Sequence, residues 1–132
     1  MREREGPPSP RPSKRHVEAQ RRGRLAETIA AWRLRLAGWR IVAHDVRLPA
    51  GQIDLVAKRG RVLAFVEVKA RPAFDDAAES LHPAQAMRIA RAAEQFCAKR
   101  PNFAAFERRF DLVLVAPGRW PRHIQDAWHD RR

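Results

Sequence analysis

Two runs of alternating residues, Gly51 to Ala57 and Val62 to Lys69, are separated by a short basic turn. This pattern reads as a two-stranded hairpin and constrains the rest of the chain more than any other feature. In the second run Val62, Ala64, Val66 and Val68 face one way, while Leu63, Phe65, Glu67 and Lys69 face the other. In the first, Ile53, Leu55 and Ala57 oppose Gln52, Asp54 and Val56. Taking Arg59-Gly60 as a two-residue turn sets Asp54 opposite Phe65 and Gln52 opposite Glu67. Asp54 and Glu67 are then diagonal neighbours about 7 Å apart on one face, grouped with Lys69 and Gln52. A slip of one residue would send one strand's members to the other face.

Charged groups on an apolar strand are costly unless paired or bound to a metal. Two carboxylates with a lysine two residues beyond the second suit Mg²⁺, which takes hard oxygen ligands, retains several waters and needs few protein groups. Such a cation makes water a better nucleophile and offsets charge on a phosphoryl oxygen. A nearby ammonium can orient that water or stabilise developing charge. On spacing alone the cluster reads equally well as a solvated hairpin face with an incidental Glu–Lys pair.

At 132 residues the chain holds one domain. Residues 1–20 carry Pro7, Pro8, Pro10 and Pro12 among charges and few large apolar groups, and are expected to form a disordered basic arm before a domain over 21–132. The arm lacks the apolar core of a signal peptide, and no later segment is long enough to span a bilayer, so the expected location is cytoplasmic, with no membrane partner. The single Cys97 excludes an intramolecular disulfide and a cysteine-based zinc site. Lys and Arg outnumber Asp and Glu 27 to 15, a net charge of +12 that favours nucleic acid as the partner. An arginine-rich proteome produces the same excess without a binding role.

Arg22 to Ala37 reads as a helix closed by Gly38, with Leu25, Ile29, Trp32 and Leu36 as its core-facing seam. Glu27 lies almost opposite, bordered by Ala30, Ala31 and Leu34, and points either into a site or into solvent. Ile41 to Arg47 is a strand, and Pro83 to Lys99 a helix with Ala86, Ile89, Ala93, Phe96 and Cys97 inward. Gln85 stands at the edge of that stripe within reach of the sheet, and Arg88 and Arg91 face outward. Phe110 to Ala116 is another strand, and His123 to Trp128 a short strand or helical turn. Trp120 and Trp128 are expected to close the end of the core. The five histidines show no metal-ligand spacing.

Five segments carry a resemblance: Gly23-Arg24-Leu25-Ala26-Glu27, Gly51-Gln52-Ile53-Asp54-Leu55-Val56, Phe65-Val66-Glu67-Val68-Lys69, Arg109-Phe110-Asp111-Leu112-Val113 and Ile124-Gln125-Asp126-Ala127-Trp128. In this order the chain resembles the PD-(D/E)xK nuclease superfamily and, more closely, the small bacterial YraN-like proteins, a family of predicted endonucleases. The resemblance runs from about residue 20 to the end. It implies a restriction-endonuclease-like α/β core, a mixed central sheet flanked by helices. It also implies a Mg²⁺ or Mn²⁺ site at Asp54 and Glu67 with the Val68 carbonyl, assisted by Glu27 from the helix, and Lys69 acting on the attacking water. The same helix-borne glutamate in archaeal Holliday-junction resolvases points to branched DNA.

The chain departs from the family pattern at Gln52, where the family carries glutamate, and at Gln85, where relatives are often basic. An amide keeps a ligating oxygen but loses the charge. The expected function is metal-dependent hydrolysis of DNA phosphodiesters. The alternative is a non-catalytic nucleic-acid-binding protein retaining the nuclease fold. A protein-interaction adaptor with a basic surface is a third reading.

Overall fold

The hairpin forms and becomes the middle of a larger sheet. A computed structural model describes residues 14–75 and 81–128, with side chains of the first helix described from Gly23 onward. Strand β2 (Gly51–Arg59) and strand β3 (Val62–Ala70) pair antiparallel from Arg59↔Val62 to Leu55↔Val66. The two-residue loop is therefore Gly60-Arg61, one position later than the Arg59-Gly60 expected. Gly60 has φ +59°, the left-handed geometry required at the first position of a type II′ hairpin and open to glycine without penalty. The new register shifts the pairing by two residues, so Asp54 and Glu67 still share a side.

Strand β1 (Arg40–Leu48) pairs antiparallel with β2 on the outer side. Strand β4 (Glu107–Val115) runs parallel to β3, and strand β5 (Arg122–Trp128) antiparallel to β4. The order β1-β2-β3-β4-β5 is a mixed five-stranded sheet. Helix α2 (Pro83–Ala98) connects the parallel pair, as such a crossover requires. Its N-cap is His82, whose Nδ1 accepts from the Ala84 N–H at 3.1 Å, with Pro83 in the first turn. A 3₁₀ turn (Pro101–Phe103) follows.

Alternate residues of β3 divide the core in two. Leu63 and Phe65 pack with Ile89, Ala93 and Phe96 of α2. Ala64 and Val66 pack with Ala30, Ala31 and Leu34 of helix α1 (Lys14–Leu36), which covers the other face. This is the α/β sheet flanked by helices that the sequence implies. No described helix is long and apolar enough to cross a membrane.

Four expectations are corrected. Helix α1 begins at Lys14, so residues 14–20, assigned to the arm, are helical; residues 1–13 lie outside the described residues. The seam Leu25, Trp32 and Leu36 does not face the core: these side chains are 60%, 58% and 68% exposed, and the small residues around Glu27 pack instead. Alanines let the helix approach the sheet more closely than leucines and tryptophan would. Trp120 is likewise exposed, while Trp128 stacks on Phe110 with centroids 5.5 Å apart. Finally, Ile53 packs in the α2-side cluster with Val56, whereas Leu55 and Ala57 pack on the α1 side. The simple alternation of β2 is interrupted beside Asp45, a residue at φ +49° in β1.

Candidate metal centre

Asp54 sits where β2 leaves its buried stretch, and its carboxylate Oδ2 accepts the backbone N–H of Val68 in β3 at 2.9 Å. This bond fixes the carboxylate against the neighbouring strand. Glu67 follows the buried run Leu63–Val66 and is half-buried. Its Oε1 accepts Gln85 Nε2 from the first turn of α2 at 2.8 Å. Glu67 and Asp54 lie within hydrogen-bonding reach of each other, and Glu27 of α1 reaches Asp54. Lys69, two residues beyond Glu67 on the same side of β3, shares with it a cleft of about 330 Å³. Gly23, Val68, Arg71 and Gln85 also line that cleft.

The structure thus brings together Glu27, Asp54, Glu67 and Lys69, the side chains singled out by sequence, with Val68 between them. Its treatment of Gln52 differs. Gln52 is exposed and donates from Nε2 to Asp45 Oδ1 at 2.6 Å, so it braces β1 instead of joining Glu67. Flanking pairs His44↔Leu55 and Val46↔Ile53 put Asp45 across from Asp54. Sequence reasoning did not find Asp45, because its place depends on the pairing of β1.

Crowded carboxylates titrate abnormally. Burial, then the charge of Asp54, pushes the Glu67 carboxyl up to about 8, against the opposing pull of Lys69 and Gln85. Burial, then Asp54 and Asp45, raises Glu27 to about 7. Asp54 is also raised, chiefly by burial, although the Val68 N–H favours its charged form. Burial lowers the Lys69 ammonium, and Arg71 adds to that effect. Three carboxylates in sequential contact need either shared protons or a cation to relieve their repulsion.

Among the described residues, no three His, Cys, Asp or Glu side chains form a ready-made metal cage. The donor set nevertheless suits a hard cation of the Mg²⁺ type, which binds through one or two carboxylates and keeps its remaining waters. Asp54 and Glu67 are the carboxylates that would fit that role.

Sequence reasoning gave a second polar group no role. Asp111 is completely buried in β4. It takes Arg109 Nε and Nη2 at 2.9 Å each, the Asp126 N–H at 2.9 Å and His123 Nε2 at 2.8 Å. The available signal was the position of Asp111 inside the apolar run Phe110–Val115, where a carboxylate has to be paired.

The profile of the Uncharacterised protein family UPF0102 matches residues 26–115. A UPF0102 protein of Paramagnetospirillum magneticum is 54% identical over 121 residues, covering 89% of this chain and 94% of its own length. One from Parvibaculum lavamentivorans is 54% identical over 112 residues, covering 85% and 84% respectively. A third, from Rhodopseudomonas palustris, is 47% identical over 121 residues, with 92% of both chains covered.

Proposed function

This chain belongs to the UPF0102 family, and we propose that its candidate centre is a cation-dependent phosphodiesterase site acting on DNA, including branched forms. One observation carries the reading. Asp54 and Glu67 are held side by side by Val68 and Gln85, with Glu27 behind Asp54 and Lys69 in the adjoining cleft.

Asp54 and Glu67 would hold Mg²⁺ or Mn²⁺, joined by the Val68 carbonyl, with Glu27 assisting from the helix. When bound, a cation of this kind supplies positive charge to the phosphoryl oxygens and makes water more acidic. The chain's own groups do the rest. The Asp54 bond to Val68 and the Glu67 bond to Gln85 fix both carboxylates before substrate arrives, so little reorganisation is needed. Lys69 orients the attacking water and stabilises charge on the phosphoryl group as the new P–O bond forms and the opposite one breaks. Burial lowers its pKa, so the ammonium releases a proton more readily than a solvated lysine does. The net charge of +12 supports a polyanionic substrate.

A non-catalytic reading is motivated by the basic arm, the arginine-rich second helix and Gln52. The engagement of Gln52 with Asp45 puts the amide in a bracing role beside the carboxylates, which weakens the last of these motives. Incubation of linear, flapped and four-way DNA with Mg²⁺ or Mn²⁺ tests the proposal. Cleavage should occur and should fall by about 10²-fold or more in Lys69→Ala, a loss typical of removing a charge-stabilising group. Absence of product from every substrate, or full activity in that variant, would sink the catalytic claim.

A further inference from the structure

Four large apolar residues of α1 lie on its outer face, although Leu34 packs inward. Leu25, Trp32 and Leu36 are more than half exposed and Ile29 is half-buried. The steps between Leu25, Ile29, Trp32 and Leu36 are four, three and four residues, the spacing of a coiled-coil seam. At 3.6 residues per turn they fall within an arc roughly 60° wide. A stripe this narrow suits a facing helix; a helix lying in a membrane surface presents a broader apolar face. Trp120, 67% exposed, lies against Arg33 of the same helix. It is held there by Arg33, whose guanidinium lies over the ring at 5.8 Å and whose Nε donates to the Pro121 carbonyl at 3.0 Å.

The charges beside this stripe have one sign. From Gly23 to Leu36 the basic residues are Arg24, Arg33 and Arg35, and the single acidic one, Glu27, is turned toward Asp54. We infer that this face docks an amphipathic helix of a partner protein, apolar at heptad spacing and acidic along its edges. A second copy of the stripe over residues 23–36 fits poorly, because it would set Arg24, Arg33 and Arg35 against the same arginines. Nucleic acid gains nothing from Leu25, Ile29 and Leu36, which neither stack on bases nor hydrogen-bond. Glu27 lies roughly 170° around the helix from the centre of the stripe, so a docked partner leaves the cleft open.

The test titrates the full chain with a designed helical peptide bearing Leu at positions a and d and Glu at e and g, followed by calorimetry. Binding is expected, weakened about tenfold or more, or ~1.4 kcal/mol, in Leu25→Ser/Leu36→Ser and in Arg35→Glu. Met87→Ser, at an exposed position of α2, should bind like the parent. Circular dichroism of each variant verifies the fold, which these exposed positions do not support. No binding, or full binding by the double serine variant, overturns the inference, as does equal affinity for a peptide with Lys in place of Glu. Sedimentation showing a dimer that the double variant abolishes assigns the face to a second copy and overturns it too. Double-variant-sensitive binding to phosphatidylglycerol vesicles, without peptide binding, overturns it in favour of a membrane.

Discussion

At the scale of single residues, Asp111 shows what a carboxylate requires in a strand interior. Stripping an ion of water costs several kcal/mol, recovered only when nearly every lone pair finds a donor. Asp111 has four donors or partners: two nitrogens of Arg109, the N–H of Asp126 and the ring of His123. Asp126 offers that N–H from a left-handed backbone at φ +53°. Trp39 closes the group, with its ring edge-on to His123 and Arg109 over its face. Half of this was legible. Arg109 and Asp111 are two apart, so a strand puts them on one side, whereas His123 arrives only through the register Val113↔His123. Asp111→Ala should destabilise the fold by about 3–5 kcal/mol, because Arg109 and His123 lose their buried acceptor. Burial pushes the Asp111 pKa up, but its donors hold it below the ordinary range. The folded value therefore lies below the unfolded one, and the stabilisation is present above about pH 4 and lost as pH falls through the folded value. Urea unfolding from pH 7 downward should show the two proteins differing widely at pH 7 and less and less as pH falls below about 4.

At the scale of elements, helix α1 was legible in type and in its end but not in its orientation. Gly38, at φ +92°, terminates it through the Trp39 N–H bonding the Leu34 carbonyl at 3.0 Å, as the glycine suggested. The inward face could not be chosen by size, since Leu25, Trp32 and Leu36 point outward while Leu34 points in. Choosing it required knowing that β2 and β3 offer Leu55, Ala57, Ala64 and Val66 as a surface needing close cover. A row of alanines allows that approach and brings Glu27 within reach of Asp54. Ala30, fully buried, should therefore tolerate no added bulk: Ala30→Leu is expected to cost about 1–3 kcal/mol by overpacking. Trp32→Ser, despite removing the larger side chain, should change stability by about 0.5 kcal/mol or less, because the ring is already in solvent. Paired thermal melts give the ordering, and a greater loss from Trp32→Ser would reverse the assignment of faces. The hairpin was more legible because β periodicity is short: a turn displaced by one residue moved the pairing by two and kept the carboxylates together.

At the scale of the whole molecule, an acidic centre is assembled inside a strongly basic chain. The sheet contributes Asp54, Glu67 and Lys69, while helices on opposite faces contribute Glu27 and Gln85. Without a cation, the carboxylates relieve their repulsion by holding protons more tightly than in the unfolded chain. Glu27 near 7 and Glu67 near 8 stand far above an unfolded glutamate at about 4.3. A raised folded pKa stabilises the fold fully below the unfolded value, and that contribution is lost as pH rises through the folded one. The metal-free protein should accordingly lose stability as pH rises from about 4.3, the unfolded value, through about 8, the window set by these two groups. A divalent cation replaces those protons, so Mn²⁺ should raise the melting temperature more at pH 8.5 than at pH 6. Glu67→Gln removes a charge while keeping the shape, and should flatten the alkaline decline and diminish the Mn²⁺ effect together. Melting curves across this range, with Mn²⁺ or with chelator, read both effects. If the variant retained the parent's alkaline decline, Glu67 would not be the group whose proton is lost there.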